Sequence, residues 1–489
     1  MTKLELSLLN PNTLIYHRAG IAGLALALAD LDFNDAPLTW KVAEDTITLE
    51  WECPDKEAVL WLSQQTYQIE DGYLNVPALN LDKQGKYTFS EGVATTFLQH
   101  GKQRNHEKQA VSLNFTYDEN QPEITISFRP LLNCYYTGEL KEAFSSKEKF
   151  KPKIPLKGHH LPGLVEDFAN GVYSVYPEDF TPLLFLPLAC NYYKLPNYRS
   201  AVVIPEVTNL KAWIKRRKAY PGRTYKKFRA TGAGESGLRF LLEEQKIKNS
   251  RDFGINSCEV YQLGKQPWDG SQSYLKQAVY RVQVDENTLG IYDDAYQLFP
   301  NQVKKNNKGE NWLAISKVLP WIGDNLVAGK VWHSGFFEFH KANQMYERKG
   351  LIKMTEKHLE PDEQVFFDAV QGAFSSYLGA EGKQASNQGR EFEYKSPYKK
   401  VIYRLQRPSS QQEFASALIK FFSQNPHGNI QGNGEEIFAW LYRQSNWKKA
   451  RDLALLAIVA YKSKKKTDDS STQTDNDDEL AEETTDLLA

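Results

Sequence analysis

Histidines supply the first candidates for chemistry in this chain of 489 residues. His159 and His160 precede Pro162 and Gly163, and His333 and His340 flank Glu338 in WHSGFFEFH. Imidazoles beside a carboxylate are donors that a zinc ion takes. Neither spacing, however, matches H-E-x-x-H or another compact metal pattern, and both fit hydrogen-bonded histidines. The stretch 232–237, GAGESG, has the glycines of a phosphate cradle, yet it follows a basic run instead of an apolar strand and reads as a plain loop. The sequence has no G-x-S-x-G elbow, no G-x-x-x-x-G-K-[ST] loop and no kinase signature. The expectation is a protein that is not an enzyme, with no catalytic residue, metal or cofactor. A nuclease built from dispersed carboxylates is the catalytic alternative.

Binding chemistry is better represented. Residues 211–229, KAWIKRRKAYPGRTYKKFR, hold nine Lys or Arg and no acid, interleaved with Trp213, Tyr220, Tyr225 and Phe228. Cations neutralise phosphates and release counterions, and aromatic faces stack on unpaired bases. Lys211, Lys215, Arg216, Arg217, Lys218, Arg223, Lys226, Lys227 and Arg229 are therefore expected to contact a nucleic-acid backbone. The plainer alternative is a helix with one solvated basic face. QHGKQRNHEK, residues 99–108, is a second basic loop, with Lys102 and Arg104 as contacts. The loop at 264–273 carries Gln266, Trp268 and Gln272. Amides there could read base edges and the indole could wedge a base step; ordinary hairpin chemistry accounts for the same residues.

These residues need a scaffold, and composition bounds it. The formal net charge is only −1, but the sign is segregated: after Lys466 the chain carries nine acids and no base. A basic surface and an acidic end suit a polyanion binder, and the tail alone also reads as a solubility device. Cys53, Cys134, Cys190 and Cys258 form no C-x-x-C pair, which fits a reduced, cytoplasmic protein. No run has the length of a membrane span, and no secretory leader is recognisable.

The expected fold class is α+β. Alternation in TITLEW (46–51), VSLNFTY (111–117) and ITISF (124–128) predicts strands, the last two as an antiparallel hairpin around DENQP. A buried strand is expected near 201–204, and a strand pair within 258–284. Residues 145–155 read as a solvated linker or exposed basic loop. From 355 the periodicity turns helical, as in Phe366, Val370, Phe374 and Tyr377, with turn-rich connectors at 380–390 and 423–434. The expected division is an N-terminal α+β body at 1–354, a helical bundle at 355–461 and a disordered acidic tail at 462–489.

One further segment, LIYHRAGIAGLALALADL at 14–31, predicts a soluble helix whose small residues Gly20, Gly23, Ala25 and Ala27 allow close packing against a neighbour. Together with LLFLPLACNYYKLPNYRSAVVIPEVTNLK at 183–211 it resembles the large subunit of the type I-B (Myxan-type) CRISPR Cascade complex, as found in cyanobacteria. The resemblance is clearest at 14–28 and 183–212. It implies a non-catalytic subunit that works with guide RNA, target double-stranded DNA and the other Cascade subunits. Such a subunit recognises the protospacer-adjacent motif, helps start strand separation to an R-loop and supports recruitment of a helicase-nuclease. Some relatives act as scaffolds in transposon-associated guide complexes, with transposition proteins as partners. The family also suggests a free small subunit made from an internal start at Met354 or, second, Met345. His17 and Arg18 are open between two roles: Arg18 on an RNA phosphate, helped by the helix N-terminus, or both residues as buried structural partners.

Overall fold

The computed structural model describes residues 1–98, 104–134, 140–157, 159–162, 173–218, 224–247, 255–264, 275–343, 347–442 and 447–462. By its internal contacts the chain divides into two units. One comprises residues 1–289 and 301–316, the other residues 290–300 and 317–489.

The first unit is built from small antiparallel sheets and short helices. It opens with β1 (Thr2–Ser7), helix α1 (Ile15–Leu28), β2 (Leu38–Val42) and β3 (Thr46–Trp51), with the strands in the order β1-β3-β2. On β3 the side chains of Ile47, Leu49 and Trp51 all turn inward, as strand period two requires. Next come α2 (Asp55–Thr66), β4 (Gln68–Glu70), β5 (Tyr73–Asn75), α3 (Lys83–Thr96) and β6 (Arg104–His106). The expected hairpin is present as β7 (Val111–Thr116) and β8 (Glu123–Phe128), in register from Val111↔Phe128 to Thr116↔Glu123. The strand that follows, β9 (Leu131–Cys134), pairs with β6.

A two-stranded ladder, β10 (Ile154–Pro155) with β11 (Ser174–Val175), precedes α4 (Pro177–Leu183) and α5 (Leu186–Ala189). The largest sheet is antiparallel and runs β12 (Asn191–Lys194), β13 (Ser200–Pro205), β14 (Ser257–Gly264), β15 (Leu275–Gln283). Every residue of β13 is buried, so its unbroken apolar run marks a strand covered on both faces. Between β13 and β14 the chain forms α6 (Leu210–Lys218), α7 (Tyr225–Phe228) and α8 (Ala233–Ile247).

In α1 every residue except Arg18 is buried. A helix apolar on all sides has to be enclosed, and this one is held closely by α4 and α5. A Cβ on Gly20 would collide with the carbonyl of Pro182, and one on Gly23 with that of Phe185. The two segments that carried the family resemblance are thus halves of one packing contact.

The second unit is helical. From α9 (Glu286–Leu298), whose residues from Gly290 belong to this unit, it runs through α10 (Val318–Val327), α11 (Phe336–Ala342) and α12 (Arg348–His358). Then follow α13 (Pro361–Asn387), α14 (Lys395–Gln406), α15 (Gln411–Gln424), α16 (Gly428–Gly432), α17 (Gly434–Tyr442) and α18 (Trp447–Val459). Phe366, Val370 and Phe374 of α13 and Leu453 to Val459 of α18 form its core. The strands β16 (Gln302–Lys305) and β17 (Asn311–Ala314) return to the first unit.

One expectation changes here. The connector expected at 380–390 is helical as far as Asn387, because the Ala, Glu, Lys and Gln residues around Gly379 and Gly382 are strong helix formers and outweigh the about 1 kcal/mol each glycine costs. The 354/355 boundary, drawn on periodicity, falls inside α12. Short helices with aromatic contacts, such as Trp321 stacked on Phe339 at 4.6 Å, show no long helical period in sequence. The Asp452 carboxylate of α18 accepts the backbone N–H groups of Gly335 and Phe337, at 2.8 and 2.9 Å, tying α11 to the bundle.

Candidate nucleic-acid interface

The basic run 211–229 folds as two helices whose inward sides come from its aromatics. Asn209 caps α6 by accepting from the Ala212 N–H at 2.9 Å. Leu210, Trp213 and Arg216 then point into the protein. On α7, Thr224 accepts from the Lys227 N–H, and Gln84 accepts from the Tyr225 N–H at 2.9 Å. Tyr225 and Phe228 enter a ring cluster with Tyr87 and Phe115. Trp213, Tyr225 and Phe228 are therefore core residues, which corrects the expectation that they stack on bases: each would have to leave an apolar site first. Tyr220 and Arg223 lie outside the described residues.

The cations part company in the same way. Arg216 is only 3% exposed and donates to the Glu244 carboxylate at 3.0 Å and to the Glu244 carbonyl at 2.8 Å. It cannot reach an outside phosphate, and its expected role is corrected to a structural one. Arg217 donates to Asn191 at 3.0 Å and to the Leu188 carbonyl at 3.2 Å, and lies over the Trp213 ring. Lys218 donates to the Ala29 carbonyl at 3.0 Å, with Asp30 3.6 Å away. Lys226 meets Asp118 at 2.5 Å, and that contact holds the Asp118 carboxyl below the usual carboxylate range. Arg229 is half-buried, its backbone bridged to Lys194. Lys211 and Lys215 stand exposed on α6, and Lys227 is half-buried on α7.

Arg18 is half-buried and engaged by the chain itself. Its Nε and Nη2 donate to the two oxygens of Glu206 at 2.6 and 3.0 Å, and Nη1 donates to the Thr13 carbonyl at 2.6 Å. His17 is buried, its Nδ1 accepting from the Leu14 N–H at 3.2 Å, and burial pushes its pKa down. Lys102, Gln266, Trp268 and Gln272 lie outside the described residues, as does the side chain of Arg104.

The stretch 232–237 opens helix α8 instead of forming a loop. There the buried Glu235 carboxylate accepts from the Thr231 N–H at 3.0 Å and from Arg239 at 2.8 Å. The chain thus supplies its own anion beside the start of this helix. The histidine pairs are likewise engaged. His160 accepts from the Lys157 N–H, His333 faces Glu363 at 3.2 Å, and His340 faces Gln406. A shallow cleft of about 300 Å³ is lined by Ser90, Glu91, His106 and Arg129 among others. Its Ser90 hydroxyl donates to the Lys86 carbonyl, and its Glu91 is paired with Lys194. Among the described residues, no group of three or more His, Cys, Asp or Glu could hold a metal ion. No described helix is long and apolar enough to cross a membrane.

Comparison with known proteins adds what geometry alone does not. Residues 5–184 match the family model of the DevT N-terminal domain, and residues 355–487 that of the DevT C-terminal domain. The chain is also 22% identical to a CRISPR-associated protein Cas8a1/Csx13 of Myxococcus xanthus (strain DK1622), over 91% of this chain and 86% of that protein. The chain is Cas8-like. In this Cas8-like chain the N-terminal match takes in α1 and the C-terminal match begins within α12. The interface residues sequence reasoning missed are the carboxylates Glu206, Glu244 and Asp118. Each is far from its cation along the chain, and no local pattern announces such a pair.

Proposed function

We propose that this chain is the non-catalytic large subunit of a type I CRISPR RNA-guided DNA-targeting complex, working in the cytoplasm. The observation that carries the proposal is the Cas8-type likeness along nearly the whole chain. The subunit recognises the protospacer-adjacent motif, helps start strand separation and supports recruitment of a helicase-nuclease. Guide RNA, target duplex and the other Cascade subunits are its partners. A small subunit begun at Met354 belongs to the same proposal. Division of labour makes physical sense: the protein reads a short motif, while guide pairing reads the rest at nearly balanced cost. We assign Lys211, Lys215 and Lys227 of the basic run to backbone contact: Lys211 and Lys215 stand exposed on α6 and Lys227 is half-buried on α7, and Lys215 and Lys227 also interact within the chain. Gln266, Trp268 and Gln272 keep the motif-reading assignment.

The experiment is purification from native cells followed by sequencing of bound RNA. Guide RNA with a common repeat-derived end is the expected result. Recovery with no RNA, and assembly that survives RNase, would replace the proposal with a protein scaffold. Mg²⁺- or Mn²⁺-stimulated cleavage by the isolated protein would replace it with a nuclease.

A further inference from the structure

Residues 141–157 contain six lysines against two glutamates, Glu142 and Glu148. Both acids are already engaged by lysines: Glu142 pairs with Lys157 at 2.8 Å, and Glu148 with Lys56 at 2.7 Å. Among the described residues, Lys147, Lys149, Lys151 and Lys153 make no ion pair with the chain. They alternate with Glu148, Phe150 and Pro152. Lys147, Lys149 and Lys153 are exposed and Lys151 half-buried.

This segment is not a loose linker. Phe144 and Phe150 form an antiparallel bridge, and their rings lie 5.1 Å apart. Within the turn the Ser145 N–H donates to the Lys149 carbonyl at 2.8 Å, and the Glu148 N–H to the Ser145 carbonyl at 2.9 Å. Glu148 takes the left-handed backbone, φ 59°, that closes a three-residue hairpin loop. The Lys151 N–H donates to the Ala143 carbonyl at 2.9 Å, continuing the pairing.

The hairpin is also fastened from outside. The buried Asp55 at the start of α2 accepts the Phe150 N–H on Oδ2 at 2.9 Å. Its Oδ1 accepts Trp51 Nε1 and Thr2 Oγ1, each at 2.9 Å. The next residue, Lys56, donates its N–H to the Glu148 carbonyl at 3.1 Å as well as its ammonium to the carboxylate. Four cations therefore stand on a backbone fixed before any ligand arrives. Preorganisation of that kind lowers the ordering cost of binding an extended polyanion.

We propose that this hairpin is a phosphodiester-binding element separate from helix α6. Lys147, Lys149, Lys151 and Lys153 contact backbone phosphates of a nucleic acid without reading its sequence, and Asp55 is the positioning residue. The proposal rests on the nucleic-acid function given above and adds a site to it.

The test uses the full-length chain, fluorescence anisotropy and three probes: a DNA duplex, its separated strand, and RNA of the same sequence. Each is titrated from about 50 to about 200 mM salt, the range in which phosphate contacts reveal themselves. Replacing all four lysines by Gln is expected to weaken binding. It should also flatten the slope of log K against log salt by roughly 3 to 4 for duplex, at about 0.9 per lost contact. The probe most affected identifies the strand type. Asp55→Asn keeps every lysine, so weaker binding with an unchanged slope is expected, and a melting curve reports whether the fold is retained. Wild-type affinity and slope in the four-lysine variant, while Lys211→Gln/Lys215→Gln lose affinity, would overturn the hairpin and leave the general function standing. Failure of the wild-type chain to bind any probe would overturn the nucleic-acid function itself.

Discussion

Arg18 and Glu206, 188 residues apart in sequence, form a two-pronged ion pair that joins the start of α1 to the end of β13. Each side chain remains about one quarter exposed. The pair ties together the two segments by which the chain resembles its family. The Arg18 donors are turned to Glu206 and Thr13, so a phosphate would have to break a bidentate bond to recruit them. Arg18→Ala is expected to cost about 1.5–3 kcal/mol of stability, the range for hydrogen bonds to charged groups. Its nucleic-acid salt slope should match the wild type. Chemical denaturation and a salt titration of the same sample decide between the roles, since a phosphate ligand would change the slope.

Gly20 and Gly23 give α1 its close approach to α4 and α5. Because the colliding atoms are backbone carbonyls, neither neighbour can rotate away. Gly23→Ala should lower the denaturation midpoint by the equivalent of about 1–3 kcal/mol, the usual cost of overpacking. A midpoint equal to wild type would contradict the contact.

Neighbours on α6 should behave in opposite ways. Arg216→Ala leaves the buried Glu244 carboxylate without its cation and should cost about 3–5 kcal/mol. Replacing the exposed Lys211 and Lys215 with Gln should leave the melting temperature nearly unchanged while weakening nucleic-acid binding across sequences. Melting curves and anisotropy on both variants distinguish the two faces of one helix.

Acid should act through buried groups in two windows. Burial, with the nearby His159 and Lys157 charges, holds the His160 pKa well below 6.5. Below about pH 6.5 the unfolded chain takes up a proton that the folded first unit refuses, so that unit loses stability as pH falls. In the second unit, burial pushes the Glu363 carboxyl up, but His333, Lys449 and the Glu360 N–H together outweigh it and bring it to about 2. A depressed carboxyl stabilises above its unfolded value of 4.5, and that contribution disappears as pH falls from there toward 2. It is on the order of 3 kcal/mol. Hydrogen exchange at pH 7, 5.5 and 3.5 should show both units weakening below about pH 6.5, because burial also lowers the His340 pKa in the second unit, and the second unit losing further stability below 4.5. His160→Gln should flatten the first unit's response in the upper window and Glu363→Gln the second unit's in the lower.

An internal start at Met354 has a structural consequence. Met354 is fully buried in α12, and a chain begun there lacks His333, Gly335 and Phe337. Glu363 and Asp452 would lose those partners together with the cover the removed segment gives them. A fragment of residues 354–489 is expected to melt well below one of residues 317–489. Mass spectrometry of the native complex reports whether the shorter chain is made; detection of full-length chain alone would refute the internal start.

Much of the architecture was legible from residue order. Period-two alternation marked β3, β7 and β8, an unbroken apolar run marked β13, and Gly20 and Gly23 announced a tight helix contact. These signals are local, since strand pleat and helix pitch convert neighbouring residue types directly into faces. The fate of the cations was not legible. Charge density around 211–229 suggested one outward surface, yet Arg216 follows Trp213 by three residues, the spacing of a shared helix face. That spacing hinted at burial, but only its carboxylate partner made burial possible, and Glu244 is 28 residues away.

Sequence by itself determined the fold class, the closely packing opening helix and the family likeness, because each depends on composition and spacing along a short stretch. Tertiary structure decided which basic residues belong to the protein and which to solvent. Arg18 found Glu206, Arg216 found Glu244 and Lys226 found Asp118, while Lys147 to Lys153 had their acidic neighbours taken by Lys56 and Lys157. A charge is neutralised by whatever lies within a few ångströms in space, and chain order does not specify that distance.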